Sequence, residues 1–413
     1  MGLSPFSKII FLVIFLLVCI VTNALPRTKV FDVTKYGAIA NGKTDNSKAI
    51  LKAWKDSCKW HGRSRVLIPL GSYFLSSLDL IGPCNGPVEF FIKGVLKAPT
   101  KPAQFLNTNH WINFQYMENL TITGGGTLDG QGASGWPYNN CGKGQCPGLP
   151  ASLTLNFIKN SEISHINSLN SKNVHLNIFA CHGLNISHVG ISAPGDSPNT
   201  DGIHFGVSTH IRISVMDIAT GDDCISLSSG NSNIHISKSF CGPGHGISVG
   251  SLGGSDEEER VTGLTVTNCT FRSTLTGVRI KTWGAKPNDA GGVASDFQFD
   301  DIVVNNVSNP ILIDQQYCPY PPCSQLFNFF FFWLVYSQKP SQIQITNVTF
   351  SNIQGTSASR EAVKLVCSGS KPCQNIVLEN IDLKYLGHEG PAISTCSHVN
   401  VISHGQVIPP PCR

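Results

Sequence analysis

Residues 210–218 read HIRISVMDI, and residues 233–240 read NIHISKSF. In both, β-branched or apolar residues alternate with polar ones, and a turn rich in Gly, Asn, Ser or Asp lies nearby. A period of two is the pattern of a strand with one buried face. It recurs in NISHVGI from Asn185, GLTVTNCTF from Gly263, DFQFDDIVV from Asp296, QIQITNVTF from Gln342 and NIVLENIDL from Asn375. The first apolar residues of these segments are Ile186, Ile211, Ile234, Leu264, Phe297, Ile343 and Ile376, with gaps of 25, 23, 30, 33, 46 and 33 residues. A repeat of roughly 20–50 residues signals a solenoid. With several short strands per repeat, the expected fold is all-β, a single-domain right-handed parallel β-helix. A β-sandwich is the competing architecture, but hairpin dipeptides such as Asn-Gly are scarce between the runs. Helical periodicity is confined to SKAILKAWKDSC from Ser47, which is expected to cap the open N-terminal end of the stack.

With 413 residues, 41% of them hydrophobic, the chain has enough apolar side chains for a sizeable core. The net charge is +4, without the Lys/Arg run of a nucleic-acid patch, so no nucleic-acid partner is expected. The N-terminus carries Lys8, an apolar run from Ile9 to Val21, and small residues at Thr22 and Ala24. This reads as a secretory signal peptide over residues 1–24, leaving 25–413 as the β-helix. A membrane anchor is the alternative, but a span needs ~20 apolar residues. An extracellular protein without membrane contact is therefore expected after cleavage. Of 15 cysteines, Cys19 lies in the signal segment, and the remaining 14 are an even number, as in an oxidised secreted protein. Cys141/Cys146, Cys318/Cys323 and Cys367/Cys373 are candidate local bridges; a zinc reading lacks matching His pairs. Five glycosylation sequons begin at Asn119, Asn185, Asn268, Asn306 and Asn347.

The 46-residue gap contains LFNFFFFWLVYSQ, residues 326–338. Deleting these 13 residues restores a 33-residue gap. The run is too short to span a membrane and lacks polar alternation. A buried strand in a loop excursion is one reading; the preferred one is an insertion exposing an apolar patch.

The coil spacing gives meaning to GDDC at residues 221–224. Asp201 precedes Asp222 by 21 residues, and His245 follows Asp223 by 22. Arg279 and Lys281 come one longer coil on, lengthened by the acidic loop SDEEER from Ser255. Residues one coil apart stack about 4.8 Å apart, so these groups are expected to form a ladder up one face. Each has an ordinary reading: Asp201 as a turn aspartate, Asp222 and Asp223 as a solvated turn, His245 as a loop histidine, Arg279 and Lys281 as a surface pair. Their common register argues for a site. Repulsion among three carboxylates raises at least one pKa, which is what an acid–base pair needs. For Asp222 and Asp223 to face outward together, the backbone near Gly221 must depart from regular pleating. Carboxylates beside cations suit hydrolysis of a glycosidic bond in an anionic polymer, with the cations gripping a sugar carboxylate.

NTDGIH, GDDC, GPGHGISVGS and RIK, in this order and at these spacings, resemble the polygalacturonases of glycoside hydrolase family 28, in detail the plant pollen-type exopolygalacturonases. The likeness covers almost the whole mature chain. It implies inverting hydrolysis of α-1,4-galacturonan on a parallel β-helix, without cofactor or metal, by a protein expected to be a monomer. It implies Asp222 as general acid, Asp201 and Asp223 as the residues that hold and deprotonate water, and His245 as support for the acid. Asn199 is implied in the subsite, with Arg279, Lys281 and Tyr317 contacting galacturonate. The insertion departs from the family pattern nine residues after Tyr317, and could displace its loop or disturb Cys318/Cys323. Two other readings are a Ca²⁺-dependent pectate lyase, which His245 fits poorly, and a pectin-binding β-helix without activity. Exo rather than endo cleavage rests on the likeness alone.

Overall fold

A computed structural model describes residues 28–412 except 102–107, 140–147, 286–287, 320–324 and 329–334. Residues 1–27, with the expected signal segment, lie outside it, as does the Cys141/Cys146 pair. The described strands form sheets of 19, 11 and 2 strands, and every pairing in the two large sheets is parallel. Successive coils stack in register: Ile213 pairs with Ile236, Ile236 with Val266, Val266 with Phe299, Phe299 with Phe350 and Phe350 with Leu378. All of these are buried in one continuous core. This is the right-handed parallel β-helix.

The register amends three of the sequence alignments. Ile186 pairs with Ile213 rather than Ile211, a shift of two that keeps the same face inward. Phe297 pairs with Val348 rather than Ile343, and Ile376 likewise pairs with Val348 rather than Ile343, because the long strand Ile343–Ser357 begins well before the repeat position.

Long strands turn corners at single residues with left-handed backbone. Asn347 (φ 55°) and Asn375 (φ 53°) are two of these. Asparagine tolerates this conformation, and its amide can bond to the coil below. Asn347 donates to Asp296 at 3.0 Å and Asn375 donates to Asn347 at 2.9 Å. The sequon residues Asn119, Asn268, Asn306 and Asn347 all occupy such corners, and all five sequon asparagines are exposed.

Helix α1 (Ser47–Lys59) buries Ala49, Ile50, Ala53, Trp54 and Ser57. Trp54 meets Phe90 and Phe114 edge-on, at 6.4 and 5.5 Å, and its indole donates to the Ile81 carbonyl at 3.2 Å. It thereby covers the N-terminal end of the core, as expected. Disulfides join Cys58–Cys84, Cys224–Cys241, Cys367–Cys373 and Cys396–Cys412, and Cys318 is also disulfide-bonded. The even count does not mean complete pairing: Cys181 and Cys269 are free thiols buried in the core, where burial pushes each up to about 11.

The extra segment carries a hairpin, Gln325–Asn328 against Val335–Gln338, separate from both large sheets. The exposure of its side chains lies outside the described residues. No described helix is long and apolar enough to cross a membrane.

Trp54→Ala should cost about 3–5 kcal/mol, by opening a cavity at the capped end. The check is the urea midpoint. An unchanged midpoint would show that α1 does not seal the core.

Candidate active site

The site lies on the outer face of the 11-stranded sheet. Its strands, with labels used below, are β1 (Leu176–Phe179), β2 (Ile203–Gly206), β3 (Ile225–Leu227), β4 (Ile247–Leu252), β5 (Thr276–Trp283) and β6 (Asn309–Tyr317). Ile203, Ile225 and Ile247 are in register. Asp201, Asp223 and His245 each stand two residues before these isoleucines and so stack at the strand entrances. Arg279 and Lys281 depart from the expected ladder. They sit on β5, Arg279 in the row of Ser248, and reach Asp223 with their long side chains.

Asp222 and Asp223 occupy a bend before β3 rather than a strand. Gly221 makes the bend possible by close packing: a Cβ there would lie 2.0 Å from the Ser197 carbonyl oxygen. Its amide donates to Thr200 Oγ1 at 3.0 Å, and the Asp223 amide donates to Asp222 Oδ1 at 2.8 Å. The Cys224–Cys241 disulfide anchors the chain immediately after the pair.

The three carboxylates differ sharply in environment. Asp223 is 2% exposed. Its Oδ1 accepts from Arg279 Nη2 at 2.5 Å and Ser248 Oγ at 2.8 Å, and its Oδ2 accepts from Lys281 Nζ at 2.8 Å. Burial alone would raise its pKa, but the two cations and the hydrogen bonds outweigh this and hold it below the usual carboxylate range. Asp201 is the opposite case. Burial and the charges of Asp222 and Asp223 hold its carboxyl well above that range, although Ser226 donates to its Oδ2 at 2.8 Å. Asp222 opens toward the cleft; His245 Nδ1 lies 3.0 Å from its Oδ1 and Asn199 donates to its Oδ2 at 3.3 Å. Asn199 itself takes left-handed backbone (φ 53°). Tyr317 closes the far side, its ring 5.0 Å from Trp283, 5.3 Å from Lys281 Nζ and 5.9 Å from Arg279 Cζ. It remains in register opposite Trp283, so the extra segment has not displaced it.

All eight residues singled out from the sequence meet here. Three were missed: His204, Ser226 and Ser248. His204 Nδ1 lies 2.8 Å from Ser226 Oγ, and Ser248 Oγ accepts from Arg279 Nε at 3.0 Å. Their signal was the repetition of ISL at 225–227 and ISV at 247–249, which sets both serines in one row with Arg279. Ligand atoms of Asp222, Asp223 and His245 lie within 4.8 Å of one another, a spacing a metal ion could use. Arg279 and Lys281 already engage both Asp223 oxygens, so this donor set fits a cation poorly.

The glycosyl hydrolases family 28 model matches residues 58–405. The chain belongs to this family. It is accordingly a glycoside hydrolase. An exopolygalacturonase of Platanus acerifolia is 45% identical over 92% of this chain and 97% of its own length. A polygalacturonase of Gossypium hirsutum is 43% identical over 99% and 97%. Among solved structures, an exopolygalacturonase from Thermotoga maritima has a TM-score of 0.73 at 18% identity, covering 92% of this chain and 93% of that one.

Asp223 and Asp201 should respond oppositely to amidation. Asp223→Asn leaves two buried cations without their anion and should cost about 3–5 kcal/mol. Asp201 binds its proton more tightly folded than unfolded, so its ionisation destabilises the fold as pH rises above the unfolded value of about 3.9. Asp201→Asn should therefore raise the urea midpoint at pH 7, with the advantage shrinking toward pH 4. An advantage independent of pH would refute this reading of Asp201.

Proposed function

We propose that the protein hydrolyses α-1,4-galacturonosyl bonds of de-esterified pectin with inversion, removing galacturonic acid from a chain end. The observation that carries this is the split among the carboxylates: Asp223 is held ionised by Arg279 and Lys281, while Asp201 is held protonated beside it. Such a cluster fixes Asp223 as a charge and keeps a proton on Asp201 that it can exchange with Asp222, so that these two can serve as donor and acceptor in turn. The exo assignment is supported by the names of relatives such as the Platanus acerifolia enzyme.

In this reading Asp222, open to the cleft, protonates the glycosidic oxygen as the C–O bond breaks. Once the proton that Asp201 holds in the resting site has passed to Asp222, Asp201 is free to act as base: water held by Asp201 and Asp223 attacks the anomeric carbon from the opposite face and loses its proton to Asp201. That proton must return to Asp222 before the next turnover, so Asp201 and Asp222 work as a pair sharing one proton. His245, against Asp222 Oδ1, orients the acid. Asn199 and Tyr317 border the galacturonate subsite. Arg279 and Lys281 keep Asp223 ionised and contribute positive field toward the sugar carboxylate. Secretion to the cell wall through residues 1–24, and action as a monomer, complete the proposal; the disulfides support an oxidising compartment. The 326–338 segment is proposed to be an appendage, since β6 and the strand Ile343–Ser357 keep their pairings on either side of it.

Product analysis on polygalacturonate tests this reading. Saturated monomer from the first time point is expected. Saturated oligomers would replace exo with endo cleavage, and unsaturated products would replace hydrolysis with elimination. Asp222→Asn should lower kcat by roughly 10²–10⁴-fold with KM little changed. Removal of residues 326–338 should preserve activity within about threefold; abolished activity in a folded variant would make the segment part of the site.

A further inference from the structure

Beside the aspartates the groove widens into a cleft of about 670 Å³, within the range of small-molecule sites. It joins the catalytic centre through His204, which lines it and bonds to Ser226, the donor to Asp201. Its floor is hollow because β2 ends in Gly206: a Cβ there would lie 3.2 Å from both the Phe179 ring and Ser228 Oγ. Phe179 ends β1 on the same face and is 41% exposed. It begins a row of surface rings on successive coils. Phe157 meets Phe179 edge-on at 5.9 Å, and Tyr116 stacks on Phe157 at 5.1 Å. Exposed contiguous aromatic surface beside a groove marks a binding face, and the flat rings suit the C–H faces of pyranoses.

The charge of this cleft is opposite to that around Asp223. Glu257, Glu258 and Glu259 border it, and no lysine or arginine lines it among the described residues. Arg260 pairs with Glu258 at 2.8 Å, both more than half exposed, and so offsets part of the charge. Burial disfavours the charged form of His204. A sugar carboxylate here would face the like charges of Glu257 and Glu258, and no lysine or arginine lines the cleft among the described residues to attract it.

We infer that this cleft is a subsite for an uncharged sugar unit, either an esterified galacturonosyl residue or a neutral pyranose on the polymer. The inference rests on the hydrolase reading above and extends it: Arg279 and Lys281 favour an anionic unit at the cleavage point, and the Phe179 cleft favours an uncharged neighbour.

The test compares kcat/KM on three oligogalacturonides: fully de-esterified, methyl-esterified at one internal unit, and carrying a neutral xylosyl branch. The wild type is expected to prefer one of the two uncharged-unit substrates over the de-esterified one, and which it prefers identifies the source. Glu257→Gln/Glu258→Gln should raise kcat/KM on the de-esterified oligomer about fivefold relative to that on the preferred substrate, and lose this effect in about 1 M NaCl. Phe179→Ala should lower kcat/KM on the preferred substrate about tenfold and on the de-esterified one less than twofold. Equal changes on all substrates, or a wild type that favours the de-esterified oligomer, would overturn the subsite. Should nothing be cleaved, the hydrolase reading falls, and Kd for the same oligomers by calorimetry then tests the cleft alone: tighter binding of an uncharged-unit oligomer supports it, and tighter binding of the de-esterified one overturns it.

Discussion

In-register parallel stacking is the constraint on which everything else here depends. Each coil satisfies its backbone groups on the coils below and above, so an outward residue repeats its position about 4.8 Å further along the axis. A chemical row needs only the right residue type once per coil. Asp201, Asp223 and His245 form one such row, and Ser226, Ser248 and Arg279 another. Departures from regularity are where the rows are re-aimed. Gly221 packs so tightly on Ser197 that the chain bends, and the bend frees Asp222 to face the cleft while Asp223 turns to the buried cations.

Asp223 shows why such a site is stable at all. A buried carboxylate is unfavourable, and a buried pair offsets the desolvation only with good geometry and further hydrogen bonds. Here two cations and a serine hydroxyl meet both oxygens. Asp201 lies in the opposite balance: burial, and then the charges of Asp222 and Asp223, make it keep its proton. One buried ion network thus produces two carboxyl groups of opposite character less than two coils apart. The same division of charge extends outward: cations gather under Tyr317, whereas the Phe179 cleft is lined, among the described residues, by acidic and neutral groups.

The repeat, the β-helix, the capping helix and six of the residues that meet at the candidate site were legible in the chain, because period-two alternation and coil-length spacing are properties of sequence; Asn199 and Tyr317 came from the family resemblance alone. So was the Cys367–Cys373 bridge. The register was legible only in part. Ile211, Ile234, Leu264 and Phe297 aligned correctly, but Ile343 did not, because no local signal tells how far a long strand precedes its repeat position. Cysteine parity likewise missed Cys181 and Cys269, since an inward-facing thiol in a packed core reads in sequence like any other cysteine.

By itself, then, the sequence determined which residue types recur at the coil period, and hence the fold and most of the residues that meet at the candidate site. Only the tertiary structure decided which aspartate the cations serve, since Arg279 and Lys281 reach Asp223 across a coil on long side chains whose direction spacing cannot specify. It also decided where the proton rests and where the groove turns from cationic to acidic. Protonation and electrostatic preference depend on burial and on the sum of nearby charges, and both exist only once the coils are stacked.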